Sequence, residues 1–186
     1  MLAAVNSGDA KKLAELIRQD PGFKVNKDHG LGHTLLHFVC EGNSRSAIIP
    51  LLLAHPDIDV NVKNRSGGTP FYHACGGRAS CVREMLKDSR VKVNEPKNDG
   101  CTPLWRAAYN GQLEAIKVWI ASGREIDLGK PGDVDKTDAI GGAKQEGKTE
   151  VVSLLERFKS DAAKTRSEVR KELGITGQYP SFFSID

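Results

Sequence analysis

His29, His33, His37 and Cys40 are spaced by four, four and three residues. On one continuous helix that spacing would set four ligands on a single face, as zinc sites do. Gly30 and Gly32 interrupt any such helix, and Thr34 is placed to start a new one after His33. The residues therefore read as structural, with His29 and His33 in a loop, His37 on a helix, and no metal expected. The other cysteines read the same way. Cys40 and Cys75 fall in a small-residue slot matched by Ala108, Cys81 sits on the inner side of a helix, and Cys101 precedes a helix start. No redox role is expected for them. The stretch "DVDKTD", 133–138, resembles a calcium loop but lacks its central Gly and the Glu twelve positions along. "LGKPG" has no phosphate-loop spacing. No Ser or Cys comes with a local His and Asp, so catalytic residues and cofactors are both expected to be none.

The elements that hold these residues repeat. "HTLLHFVCEG" begins at 33, "GTPFYHACGG" at 68, "CTPLWRAAYNG" at 101 and "KTDAIGGAKQEG" at 136. Thr34, Thr69, Thr102 and Thr137 are separated by 35, 33 and 35 residues. Val25-Asn26, Val60-Asn61, Val93-Asn94 and Ile126-Asp127 follow at 35, 33 and 33. In the first three units the Val stands nine residues before the Thr, and Gly32, Gly67 and Gly100 stand seven after the Val. Three positions in register over four units define a repeat array with a period near 33.

Each Thr, in two units followed by Pro, is a helix start: Thr caps, and Pro is tolerated where the N–H has no helical partner. The predicted helix of about two turns is too short to stand alone. A second amphipathic helix follows: "SAIIPLLLAH", "SCVREMLKD", "LEAIKVWIAS" and "TEVVSLLERF". A Gly-punctuated hairpin-like loop then leads to the next unit. Ala107-Ala108 lets neighbouring first helices approach closely, so stacking buries what one unit cannot.

On these residues the chain resembles the ankyrin repeat family. The motif is carried by Thr102-Pro103-Leu104 with Ala107-Ala108 and Gly111, by Thr69-Pro70-Phe71 with His73-Ala74, and by Thr34-Leu35-Leu36-His37. Only His37 keeps the family's His; Tyr72, Trp105 and Ile140 replace it elsewhere. The resemblance implies an all-α solenoid of about five stacked helix-turn-helix units with projecting hairpin loops, plus a C-terminal helix. The expected units are 1–26, 27–61, 62–94, 95–127 and 128–158, the outer two atypical as caps. Residues 159–174 read as a C-terminal capping helix with Ser160 or Asp161 as cap, and 175–186 as a tail carrying Tyr179, Phe182 and Phe183.

The resemblance also implies the function: a non-catalytic module binding another protein in a concave groove of loop tips and first helices. The matching positions are His33, Glu41, Lys63, Arg65, Ser66, Asn98, Asp99, Arg106, Tyr109 and Asn110, with Asp28 and Cys101 nearby. Lys63, Arg65, Lys97 and Lys130 make the later tips basic, which favours an acidic segment on the partner. Glu114 and Lys117 are predicted to face outward. Asn61 and Asn94 match family positions open to asparaginyl hydroxylation, with Leu53 eight residues before Asn61. The alternative is a regulatory or modification-target segment, or a piece of a larger protein whose other domain is catalytic.

Bulk properties narrow the setting. A net charge of +3 over 186 residues is too small to argue for nucleic acid or an anionic membrane. No apolar run approaches spanning length, and "MLAAVNSGDAKK" has no secretory pattern. Four cysteines are no disulfide framework for this length. The expected setting is the cytoplasm or the nucleus, and the expected state a monomer.

Overall fold

The computed structural model describes residues 1–42, 45–129 and 137–175. Lys130, most of the "DVDKTD" loop and the aromatic tail lie outside the described residues. Helices run in antiparallel pairs: α1 (Leu2–Ser7) with α2 (Ala10–Arg18), α3 (Leu35–Glu41) with α4 (Ile49–Leu53), α5 (Pro70–Ala74) with α6 (Ala79–Leu86), α7 (Pro103–Tyr109) with α8 (Leu113–Ser122), and α9 (Ala139–Gln145) with α10 (Thr149–Ser160). A last helix, α11 (Ala162–Glu172), follows. Among the described residues every regular element is helical.

The starts form as the sequence chemistry dictates. The Thr69 and Thr102 side chains accept from the N–H groups of Tyr72 and Trp105, and Pro70 and Pro103 open the helices behind them. Asp138 replaces Thr at the start of α9, accepting from Gly141 N–H, and Asp161 caps α11. The second helix of the second pair departs from expectation. "SAIIPLLLAH" is not one helix but a 3-10 turn, Ser46–Ile48, running into the five-residue α4. Pro50 accounts for this: it has no N–H to give to a preceding turn and fits only the first positions of a helix.

None of these five- to seven-residue first helices could persist alone. They form one layer in which α1, α3, α5, α7 and α9 pack in succession, and α4, α6, α8 and α10 form a second. One apolar core runs between the layers. Leu36, Phe71, Leu104, Ile116 and Trp119 are fully enclosed in it or nearly so. Phe71 meets Trp119 edge-to-face, ring centres 5.0 Å apart, joining two adjacent pairs. At the far end α11 lies across α8 and α10. Arg166 Nε and Arg170 Nε donate to the carbonyls of Ile120 and Ala121 in the last turn of α8, the first of which also accepts from Gly123 N–H.

Between pairs the chain makes hairpin-like tips. His29 N–H donates to His33 C=O, Asn64 to Gly68, and Lys97 to Cys101. Neighbouring tips bond too, Arg65 N–H to Leu31 C=O and Asn98 N–H to Ser66 C=O. Gly67 makes this closeness achievable: its φ is 81°, and a Cβ there would stand 2.6 Å from Asn98 N.

Candidate functional site

The tips and first helices share one face, and the repeat register decides what meets on it. Counting from each Thr, His37, Tyr72 and Trp105 are equivalent, as are Phe38, His73 and Arg106, and as are Glu41, Gly76 and Tyr109. Stacking therefore lays a row of aromatic, imidazole and guanidinium groups across three units.

At the N-terminal end of the row, His37 is wholly buried. Thr34 N–H donates to its Nδ1, and its Nε2–H donates to Gly68 C=O, closing a capping box and tying α3 to the next tip. Burial holds its pKa down to about 4, against the pull of the Gly68 carbonyl. It is thus a neutral fixture. Cys40, Cys75 and Cys81 are buried, and burial pushes each thiol up, away from the reactive thiolate. His29 stands off against Phe38, with ring centres 6.3 Å apart. The four-residue spacing therefore brings no metal-ligand set together from His29, His33, His37 and Cys40.

A different set does assemble. Glu41 Oε1 lies 2.7 Å from His73 Nδ1 and 3.4 Å from His33 Nε2. Asn64 Nδ2 reaches both rings, 3.2 Å from His33 Nε2 and 3.0 Å from His73 Nε2. The bond from His73 is the main reason the Glu41 carboxyl is held below its usual range. Of this cluster the sequence reading named His33 and Glu41 as binding residues, but not His73 or Asn64. The register was the available signal: it puts His73 where Arg106 stands one unit later.

The middle of the row is cationic and aromatic. The Arg106 guanidinium lies 4.8 Å from the centre of the Tyr72 ring, and Lys97 Nζ lies 5.6 Å from it. Gly76 makes room, since a Cβ there would stand 2.6 Å from Arg106 Nε. Burial raises the Tyr72 hydroxyl above its usual pKa, opposed by Arg106. Tyr109 stacks on Trp105 at 4.7 Å and 21°, and Asn110 Nδ2 donates back to Arg106 C=O.

The remaining predicted tip residues divide into paired and open. Lys63 is paired with Glu95 at 2.7 Å, and Asp99 with Lys97 at 2.8 Å. Ser66 N–H and Oγ–H both donate to Asn64 Oδ1, so Ser66 buttresses the cluster above. Asn98 Nδ2 donates to Arg65 C=O, and the Arg65 side chain is exposed. Asn61 and Asn94 tie neighbouring units together. Asn61 bonds the next unit twice, Nδ2–H to Arg90 C=O and Oδ1 from Lys92 N–H. Asn94 Oδ1 likewise accepts from Asp127 N–H. Lys117, predicted to face outward, is covered: its side chain is 14% exposed, between Glu114 and Glu172. The helix α11 that supplies Glu172 lies over that side of α8, which position within the repeat could not reveal.

Comparison with known proteins agrees with this architecture. The family described as ankyrin repeats (3 copies) matches residues 1–95 and again 46–130. A stretch of 108 residues is 38% identical to SMC5-SMC6 complex localization factor protein 1 of Bos taurus, covering 56% of this chain and 10% of that one. Rabankyrin-5 of Mus musculus is 33% identical over 101 residues, 54% of this chain and 9% of that one. A putative ankyrin repeat protein of Rickettsia bellii is 27% identical over 99 residues, covering 53% and 55%. The chain thus spans about a tenth of the length of the first two relatives. Among the described residues no helix is long and apolar enough to cross a membrane. The capped first helices, the interlocked tips and the family match over most of the sequence agree: the chain belongs to the ankyrin repeat family.

Proposed function

We propose that the chain is a non-catalytic protein-binding module, a monomer acting in the cytoplasm or nucleus, whose partner lies along the groove of first helices and loop tips. The observation that carries this reading is Arg106, seated with Lys97 over the buried Tyr72 ring, beside the stacked and half-buried Trp105–Tyr109 pair. Tyr, Trp and Arg held in place by packing give up little entropy on binding, and such residues dominate interface energetics. The partner presents an acidic segment. Lys63 and Lys97 are already neutralised by Glu95 and Asp99, so the attraction comes chiefly from Arg65 and Arg106. A relative named for localising the SMC5-SMC6 complex supports a protein as the class of ligand. The relatives' greater length supports action alongside further domains.

Affinity capture with the chain as bait supplies the partner, and substitutions then test the face. Tyr109→Ala weakens binding by about 2 kcal/mol or more, the scale of an interface hot spot. Arg65→Glu slows association and changes its salt dependence. Glu114→Ala, at a side chain 64% exposed on α8, leaves binding unchanged. Full affinity in Tyr109→Ala with loss in Glu114→Ala would move the partner to the second-helix side and end this reading.

A further inference from the structure

The cluster at the N-terminal end of the row has the makings of an ion site, against the expectation of no metal drawn from the sequence. We propose that His33, Glu41 and His73 bind a divalent first-row transition ion of the zinc class. One ring nitrogen from each histidine and one Glu41 oxygen lie within 4.8 Å of one another. An ion bonded at about 2.0–2.1 Å to three such atoms needs them roughly 3–3.5 Å apart. Two of the three edges, at 2.7 and 3.4 Å, are near that already. The third, at no more than 4.8 Å, has to shorten for all three to hold one ion. Two imidazoles and one carboxylate are a donor set that suits zinc and leaves a coordination position open. The three side chains are 19%, 37% and 11% exposed, so an ion can enter from the groove. The ligands come from two units: His33 precedes α3, Glu41 is its last residue, and His73 stands on α5. An ion there clamps one unit to the next.

Asn64 sets how tightly the site works. Its Oδ1 accepts from Ser66 N–H, Ser66 Oγ–H and Gly68 N–H, which fixes the amide's orientation. Its NH2 group therefore donates to Nε2 of both rings. On His33 the amide hydrogen occupies the Nε2 lone pair that an ion would take, so Asn64 must release that ring for the ion to bind. The amide also puts the proton of His73 on Nδ1, where it is given to Glu41. Ion binding at Nδ1 moves that proton to Nε2, which then faces an Asn64 donor instead of an acceptor. Metal-bound histidines are held best when the second ring N–H donates to a carboxylate or carbonyl. Asn64 is thus a brake on the site. Asn64→Asp keeps the oxygen that Ser66 and Gly68 require and supplies the missing acceptor.

Titration of the metal-free 186-residue chain with Zn2+, followed by calorimetry and by the melting temperature, tests this, with Co2+ as a visible probe. The expected result is one equivalent bound with a raised melting temperature and Co2+ d–d absorption free of thiolate charge transfer. Glu41→Gln, close to isosteric, and His33→Ala each weaken binding at least tenfold, while Asn64→Asp strengthens it about tenfold or more. Circular dichroism of each variant without metal separates lost ligation from lost fold. Absence of binding in both parent and Asn64→Asp overturns the proposal. So does undiminished affinity in folded Glu41→Gln and His33→Ala, or a thiolate–cobalt band placing the ion on a cysteine.

Discussion

At the scale of single residues, His37 makes the clearest link between burial and behaviour. Its folded pKa, about 4, lies below the ordinary histidine value of about 6.5. The unfolded chain therefore takes up a proton that the folded chain refuses, and stability falls as pH falls. The contribution is whole above about pH 6.5, begins to go below it, and is gone below about pH 4, a loss on the order of 3 kcal/mol. Urea denaturation at pH 7 and pH 5.2 reads the upper part of this loss together with a like-signed share from His29, whose pKa burial also lowers. His37→Gln, which keeps a capping partner for Thr34 without a proton to exchange, flattens the slope across that window. An equal slope in both proteins would assign it to other groups. The sequence disclosed that His37 belongs to a capped helix. It did not disclose the cluster beside it, because His33 and Asn64 are 31 residues apart, and each looked like an ordinary loop polar until the tips were stacked.

At the scale of elements, most of the array could be read from Thr, Pro and Gly alone, because capping is local chemistry and each cap recurs at a fixed interval. Two elements escaped that logic. Pro50 shortened α4 in a segment whose apolar pattern looked continuous, and Lys117 disappeared under a helix that lies outside the repeat. Both depend on what packs where, which periodicity does not encode. Packing also sets the cost of damage. Leu104 is fully buried on α7, a helix packed between α5 and α9, so a gap there lies in a helix held by two further units. Leu104→Ala costs about 2–5 kcal/mol, the transfer of the lost carbons plus the cavity. Guanidinium denaturation measures it, and an unchanged midpoint would show that the site is not a tightly packed inter-unit contact.

At the scale of the whole molecule, α11 is the only described α-helix outside the helix pairs, and its role is to end the array. Its own Thr165 and Val169 are buried against the array. Arg166 and Arg170 supply donors to carbonyls at the end of α8, and Glu172 holds Lys117. Removing residues 161–186 uncovers apolar surface on α8 and α10 and takes both guanidinium donors from those carbonyls. In a linear array each unit draws stability from its neighbours, so the damage decays with distance from the cut. Amide exchange resolved along the chain checks this: protection falls most in α8 and α10, less in α6, and little in α3. Even loss from α3 to α10 would instead mean that the whole array unfolds as one unit, with coupling long enough to outreach five repeats. The graded outcome bears on function as well. Tyr72 and Arg106 lie in the interior units, so a binding face there survives the loss of the end helix while the last pair frays.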